Sequence, residues 1–226
     1  MVAALSSTEL VLAGTDRLPD PGAVWAARLR EENRERFLRA GLPAADDEAW
    51  RFTQLKPLRN AQFAFDPSAT APAVRGLELG LVHFVAHVGC AQANALSGPG
   101  LHVESLASWL RREPDVLASR LGALADTARH RFAALNTAHL TDGAVVRVSP
   151  GARAQAHLLI SGPAAAQAAY PRVLVLVEEN ADAVIVEEHA GAEGFTCPVT
   201  EVHLAPGASL RHIRIDRGGE PGMHLG

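Results

Sequence analysis

The chain has 226 residues, room for one large domain or two modest ones. Hydrophobic residues make up 48% but aromatics only 5%, so any core must rest on Val, Leu, Ala and Ile. A net charge of −4 argues against a general nucleic-acid binder, and no run approaches the length of a membrane span.

Lys56 is the only lysine among 21 basic residues, and it sits between Leu55 and Pro57. A phosphate loop needs a lysine behind glycines, so nucleotide hydrolysis is not expected, and Schiff-base chemistry is poorly supported. Cys90 and Cys197 are too few for a disulfide framework or a zinc knuckle. Met1–Ser6 carries no basic, apolar leader, which makes a reduced, cytoplasmic setting the default expectation.

In chain order, the stretch from the amino terminus to the neighbourhood of Asn60 reads as helical. Thr8–Leu12 forms a short apolar turn, and Leu18–Gly22 breaks the chain. A helix over Val24–Ala40 places Trp25, Leu29 and Phe37 on a core stripe, with Gly41 as its cap and Pro43 blocking continuation. Its Arg28, Arg30, Arg34, Arg36 and Arg39 stand at pairing distance from Glu31, Glu32 and Glu35, the pattern of a solvated, salt-bridged face. Asp46 or Asp47 caps a short helix carrying Trp50 and Phe52. Asp66–Pro72 has linker composition, and Leu81–Val88 reads as a strand turning at Gly89. Helices follow over Ser105–Leu110 and Asp115–Leu121, with Pro114 in the first turn of the second. Asp126 or Thr127 opens another, carrying Phe132 and Leu135 to about Ala138. Asp142-Gly143 then turns the chain into a region of alternating apolar residues. The expected division is a mainly helical part, 1–140, and a β-rich part, 141–226, an α+β chain.

The β-rich part repeats. Ser149-Pro150-Gly151-Ala152, Glu179-Asn180-Ala181-Asp182 and Ala205-Pro206-Gly207-Ala208 each join two strand-forming runs, and the three corners are nearly evenly spaced along the chain. Such units stack as coils of a solenoid, because one coil alone cannot bury its open ends. Val146, Val148, Leu158 and Ile160 are expected to face one interior.

The ten histidines invite a metal reading that their spacing does not support. His83 and His87 are four apart on a strand, where that spacing is roughly 14 Å. His203 and His212 flank one corner and lack the His-x-His pattern of a cupin site. Glu178-Glu179 and Glu187-Glu188 bracket the middle corner; paired acids can do acid–base work when one is buried, but charged guards of a solvent-facing corner or edge are the commoner case. Cys197 reads as a small buried residue, with no cation or helix N-terminus evident to activate it. Ser97-Gly98 and Ser161-Gly162 lack a nucleophile elbow. No catalytic residue and no metal ligand is assigned on these grounds, and a cofactor-binding set stays unknown. The alternative is a cupin-like, metal-dependent enzyme using His203, His212 and a glutamate.

Phe132-Ala133-Ala134-Leu135-Asn136-Thr137-Ala138-His139-Leu140-Thr141-Asp142-Gly143, running on into Val145–Gly151, resembles the SufB/SufD family of Fe–S cluster assembly proteins, and SufD more closely than SufB. Arg172–Val175 with Glu178–Ala181 and Glu187-Glu188, then Glu201–Ala208, extend the likeness. Upstream, Gly41-Leu42-Pro43 and Asp47–Thr53 are similar to the family's amino-terminal signature, while His83–Gly89 departs from its usual strand motif. The resemblance implies a helical part followed by a right-handed parallel β-helix. It implies a non-catalytic scaffold subunit of the cytoplasmic SUF complex, partnered by SufB-like and SufC-like proteins, with no nucleic acid and no membrane. No cofactor is expected in this chain itself, an Fe–S cluster or flavin belonging to the full complex. Relatives of this kind run to about twice the length, so the chain is expected to stop within the β-helix, where an open coil end favours self-association.

Overall fold

The computed structural model describes residues 6–44, 46–60, 63–66, 73–81, 83–87, 96–191, 193–218 and 222–226. Ser6 opens α1 (Ser7–Val11) with a capping box: its hydroxyl accepts from the Glu9 N–H while the Glu9 carboxylate accepts from the Ser6 N–H. After the break at Leu18–Gly22, α2 (Val24–Ala40) ends at Gly41, whose φ of 63° suits glycine and whose N–H donates to Phe37. The inward face of α2 differs from the expected stripe. Phe37 is fully buried and Trp25 and Leu29 only partly, while Ala26, Arg30 and Asn33 complete the buried row. Arg30 leaves the solvated set: its Nε donates to the Leu140 carbonyl at 2.5 Å and its Nη1 to Pro19 at 2.7 Å. Burial brings its guanidinium down to about 10. Arg28, Arg34 and Arg39 do pair on the surface, with Glu32, Glu31 and Glu35.

Asp47 caps a single 3₁₀ turn at Glu48–Trp50, accepting from the Ala49 N–H, and α3 (Lys56–Arg59) follows. The segment expected as a linker lies, beyond Asp66, outside the described residues, as do Val88, Gly89 and Cys90. Among the described residues four strands precede the repeat: β1 (Ala64–Phe65), β2 (His83–His87), β3 (Leu96–Gly98) and β4 (Leu101–Ser105). Ser105 caps α4 (Leu106–Arg112), accepting from the Ser108 N–H, and Pro114 begins α5 (Pro114–Ala118). In α6 (Arg131–Ala138) the cap differs from expectation. His130 holds that position without a side-chain bond, and Asp126 accepts from the Ala128 and Arg129 N–H groups one turn earlier.

From Gly143 onward each repeat holds three strands rather than the two expected. These are β5 (Gly143–Val148), β6 (Arg153–Ser161) and β7 (Gln167–Ala169); β8 (Arg172–Val177), β9 (Asp182–Ala190) and β10 (Phe195–Thr196); β11 (Val199–Leu204), β12 (Ser209–Arg217) and β13 (Met223–His224). The third strand of each set is too short to show a period in sequence. Every third strand joins the same sheet in parallel. The register is shared between sheets. Gly143 faces Arg172, which faces Val199, and Arg153 faces Asp182, which faces Ser209, so both sheets advance by the same step at each level. At the corners Gly151, Asn180 and Gly207 all take positive φ, and the Gly151 N–H donates to Glu179 as Asn180 does to Pro206. Asn is the residue besides Gly that accepts this conformation readily.

Earlier strands continue the sheets at their other end. β1 pairs with β7 and β2 with β6, both parallel, and β4 lies antiparallel on β5. Val146, Val148, Leu158 and Ile160 share one buried cluster with Val175 and Ile185, as the alternation predicts. The reverse faces of β5 and β8 pack Val145, Leu174 and Leu176 against Leu106, Trp109 and Leu110 of α4. Phe37, Phe132 and Leu135 from α2 and α6 meet Tyr170 and Phe195 in a third cluster.

Gly143 stands where β5 comes closest to the next repeat, and a Cβ there would lie 1.7 Å from the Arg172 carbonyl oxygen. Gly143→Ala is expected to cost about 3 kcal/mol or more, because backbone must move. Gly151→Ala, whose Cβ meets nothing within 4 Å, should cost about 1 kcal/mol for its φ of 68° alone. Urea-unfolding midpoints of the two variants check the ordering, and equal losses would refute it.

Candidate functional site

The segment from Phe132 to Gly143 is a joint between the helices and the stacked strands. Asn136 on α6 is buried, and its Nδ2 donates to the carbonyls of Pro171 at 3.0 Å and Cys197 at 2.8 Å, so one amide ties two successive repeats. Thr137 receives a hydrogen bond from Arg172 Nη2 at 2.7 Å. His139 stacks on Tyr170, ring centroids 3.9 Å apart, and meets Phe65 edge-on. Asp142 caps α4, accepting from the Ala107 N–H at 3.0 Å. Arg172, wholly buried, lies 3.6 Å from Glu201, whose carboxylate also accepts from the N–H groups of Gly122, Leu124 and Ala125. Burial lowers the Arg172 guanidinium, and Glu201 works against that loss. Cys197 is buried as expected, its thiol pushed up to about 12 by burial and directed at the Phe132 carbonyl, which rules out a ready thiolate.

The second polar region lies inside the stack. Along its inner face Leu158 sits over Glu187 and Glu187 over Arg214, and Ile160 sits over His189 and His189 over Asp216. The lining thus turns from apolar to charged within three repeats. This corrects the reading of Glu187-Glu188 as solvent-facing guards, since both side chains are fully buried. Glu187 accepts from His189 Nε2 at 2.6 Å, from the Thr200 hydroxyl at 2.9 Å and from His212 Nε2 at 3.0 Å. Burial pushes its carboxyl up, but the hydrogen bonds from His189 and His212 outweigh that and hold it well below the usual carboxylate range. Glu188 points to the opposite face, where it pairs with His157 Nε2 at 2.6 Å and accepts from Arg217 Nε and the Leu77 N–H. Glu178 does guard a corner, paired with Arg147 at 2.9 Å, and Glu179 is exposed.

His203 and His212 do not converge. His203 Nε2 is 3.0 Å from the Arg120 carbonyl while His212 faces Glu187, so the cupin arrangement is not favoured. The backbone of β2 carries His83 and His87, whose side chains lie outside the described residues. Sequence spacing also passes over His189, Asp216, His224, Arg172 and Glu201. The signal that finds them is the repeat offset itself, which stacks their positions.

His139 and Asp142 carry opposed pH effects. Burial lowers the His139 imidazole from 6.5 to about 4. Burial raises the Asp142 carboxyl from 3.8 to about 6, against the pull of the Ala107 and Gly143 N–H groups. On acidification from about pH 6 to 4 the folded state gains stability through Asp142 and loses it through His139, each by about 3 kcal/mol. The two nearly cancel. Asp142→Asn keeps an acceptor for Ala107 but removes the gain, so between pH 6.5 and 4 it should lose about 3 kcal/mol more than the parent chain in urea titrations. Parallel pH profiles for the two proteins would show that Asp142 does not take up that proton.

Comparison with known proteins gives this arrangement a family. Residues 14–160 match the SufBD protein N-terminal region, and residues 159–226 match the SUF system FeS cluster assembly SufBD core domain. An iron–sulfur cluster assembly SufBD family protein of Synechocystis is 28% identical, over 81% of this chain and 46% of that protein. The chain therefore spans about half the length of the curated relative it matches. With a match to the N-terminal region running through most of its residues and the core domain following directly, the chain belongs to the SufBD family, whose place is in Fe–S cluster assembly.

Proposed function

We propose that this chain is a non-catalytic scaffold subunit of the SUF iron–sulfur cluster assembly complex, pairing with a SufB-like protein and a SufC-like ATPase in the cytoplasm. The observation that carries the reading is the succession of both family regions, 14–160 then 159–226. On this reading residues 1–140 form the mainly helical part and 141–226 the beginning of a right-handed parallel β-helix. The equal offsets in two sheets support it, since coils stack only if every face advances by the same number of residues. An Fe–S cluster or a flavin would then belong to the assembled complex.

The surface offered for assembly is an edge. Among the described residues β11, β12 and β13 stand at the same end of their three sheets, each paired on one side. Unpaired strand edges bind further strands, whether from a longer form of the same protein, a SufB-like coil or a second copy. Co-expression of the chain with SufB-like and SufC-like proteins, followed by affinity capture and intact-complex mass measurement, tests the reading. Retention of both partners is expected. Failure to capture either, under conditions where the two bind each other, would remove the scaffold role.

A further inference from the structure

The last strands bring together three side chains that are far apart in sequence: His189 on β9, Asp216 on β12 and His224 on β13. Their ligand-capable atoms all lie within 4.8 Å of one another. We infer that these three residues form a site for one divalent first-row transition ion such as Zn²⁺, with Glu187 as the carboxylate that orients His189. Two imidazoles and one carboxylate suit such an ion and leave a fourth position to water.

His189 carries the strongest argument. Its side chain is 4% exposed, and its Nε2 donates to Glu187 at 2.6 Å. Its Nδ1 is buried with no hydrogen-bond partner among the described residues. A ring nitrogen tied to a carboxylate, with the other lone pair free, is how metal-binding histidines are held. Without a ligand, that lone pair has lost its water and gained nothing. Positive charge already occupies the place: the Arg214 guanidinium lies against His224 Nε2 and 3.5 Å from Asp216. An entering ion must displace it. The Arg214 Nε meets Asp216 as an ion pair without a hydrogen bond among the described residues, so the ion competes with Arg214 for that carboxylate. A cavity of about 750 Å³ between α6 and the Cys197–Val199 segment borders the site at His224.

The inference stands apart from the scaffold reading, because it concerns binding by this chain alone. Zn²⁺ titrated calorimetrically into the purified chain should bind one ion per chain, and Co²⁺ should give the intense visible absorption of a low-coordinate site. Asp216→Asn, at a half-exposed side chain, should weaken binding roughly tenfold or more, and Glu187→Gln about ten- to a hundredfold. Arg214→Ala should tighten it by removing the competing cation. His130→Gln, an exposed histidine on the cavity rim, should leave it unchanged. Circular dichroism of each variant separates lost binding from lost fold. The site is overturned if no saturable binding occurs, or if Asp216→Asn and Arg214→Ala bind as the parent chain does.

Discussion

The constraint on which the rest depends is the common offset of successive strands. Because β8 follows β5 by the same step as β9 follows β6, every inward side chain has another directly above it. Parallel strands satisfy each other's backbone only in that register, and a slip by one residue would turn the inner face outward. The corners keep the count. Gly151, Asn180 and Gly207 repeat a positive φ at the same place in each unit, so the chain turns after an equal run of strand each time. What one repeat places inside, the next must accommodate. Leu158 and Ile160 meet Ala156 and Val148 in an ordinary apolar packing, whereas Glu187 and His189, one level on, must be satisfied from within.

The same rule reaches the joint between the helices and the stacked strands. Phe132 to Gly143 is mostly buried, and its polar side chains are turned to neighbouring elements. Asn136 is spent on two carbonyls, Thr137 on Arg172, His139 on Tyr170 and Asp142 on the start of α4. A side-chain amide that joins the Pro171 and Cys197 carbonyls measures the spacing between repeats as a ruler would. Leu or Ala there would take from the Cys197 carbonyl its donor, at about 1–3 kcal/mol, whereas the Pro171 carbonyl would keep the Val199 N–H. Gly143 belongs to the same joint, since only a residue without a Cβ lets the Arg172 carbonyl approach.

Much of this is legible in the chain itself. The Pro-Gly corners, the strands on either side and the helix over Val24–Ala40 follow from local rules that act within a few neighbouring positions. The short third strands do not, because they show no alternation and exist only by pairing with the level below. Local rules misjudge the exposure of Glu187 and Glu188 for a related reason. Acidic pairs near a turn are normally solvated, and nothing local says that His212 and Thr200 come from the next repeat to receive one of them, or that Arg217 and Leu77 receive the other. Arg30 is the same lesson in a helix. One arginine among five on α2 turns inward, because Leu140 and Pro19 present carbonyls that the helix pattern cannot foresee.

The charged lining of the later levels is not explained by stability. Replacing Leu and Ile by Glu and His at stacked positions gives up apolar burial of about 1.5–3 kcal/mol per side chain. A buried ion pair rarely returns more than its desolvation costs. A stack built for stability alone would have continued the aliphatic column of Leu158 and Ile160. The column instead becomes Glu187 and His189, then Arg214 and Asp216, and these groups answer one another: His189, His212 and Thr200 serve Glu187, while Arg214 and His224 stand against Asp216. Such a column presents what an aliphatic one could not, groups whose hydrogen-bonding and ligand capacity is only partly used, as the His189 Nδ1 is among the described residues.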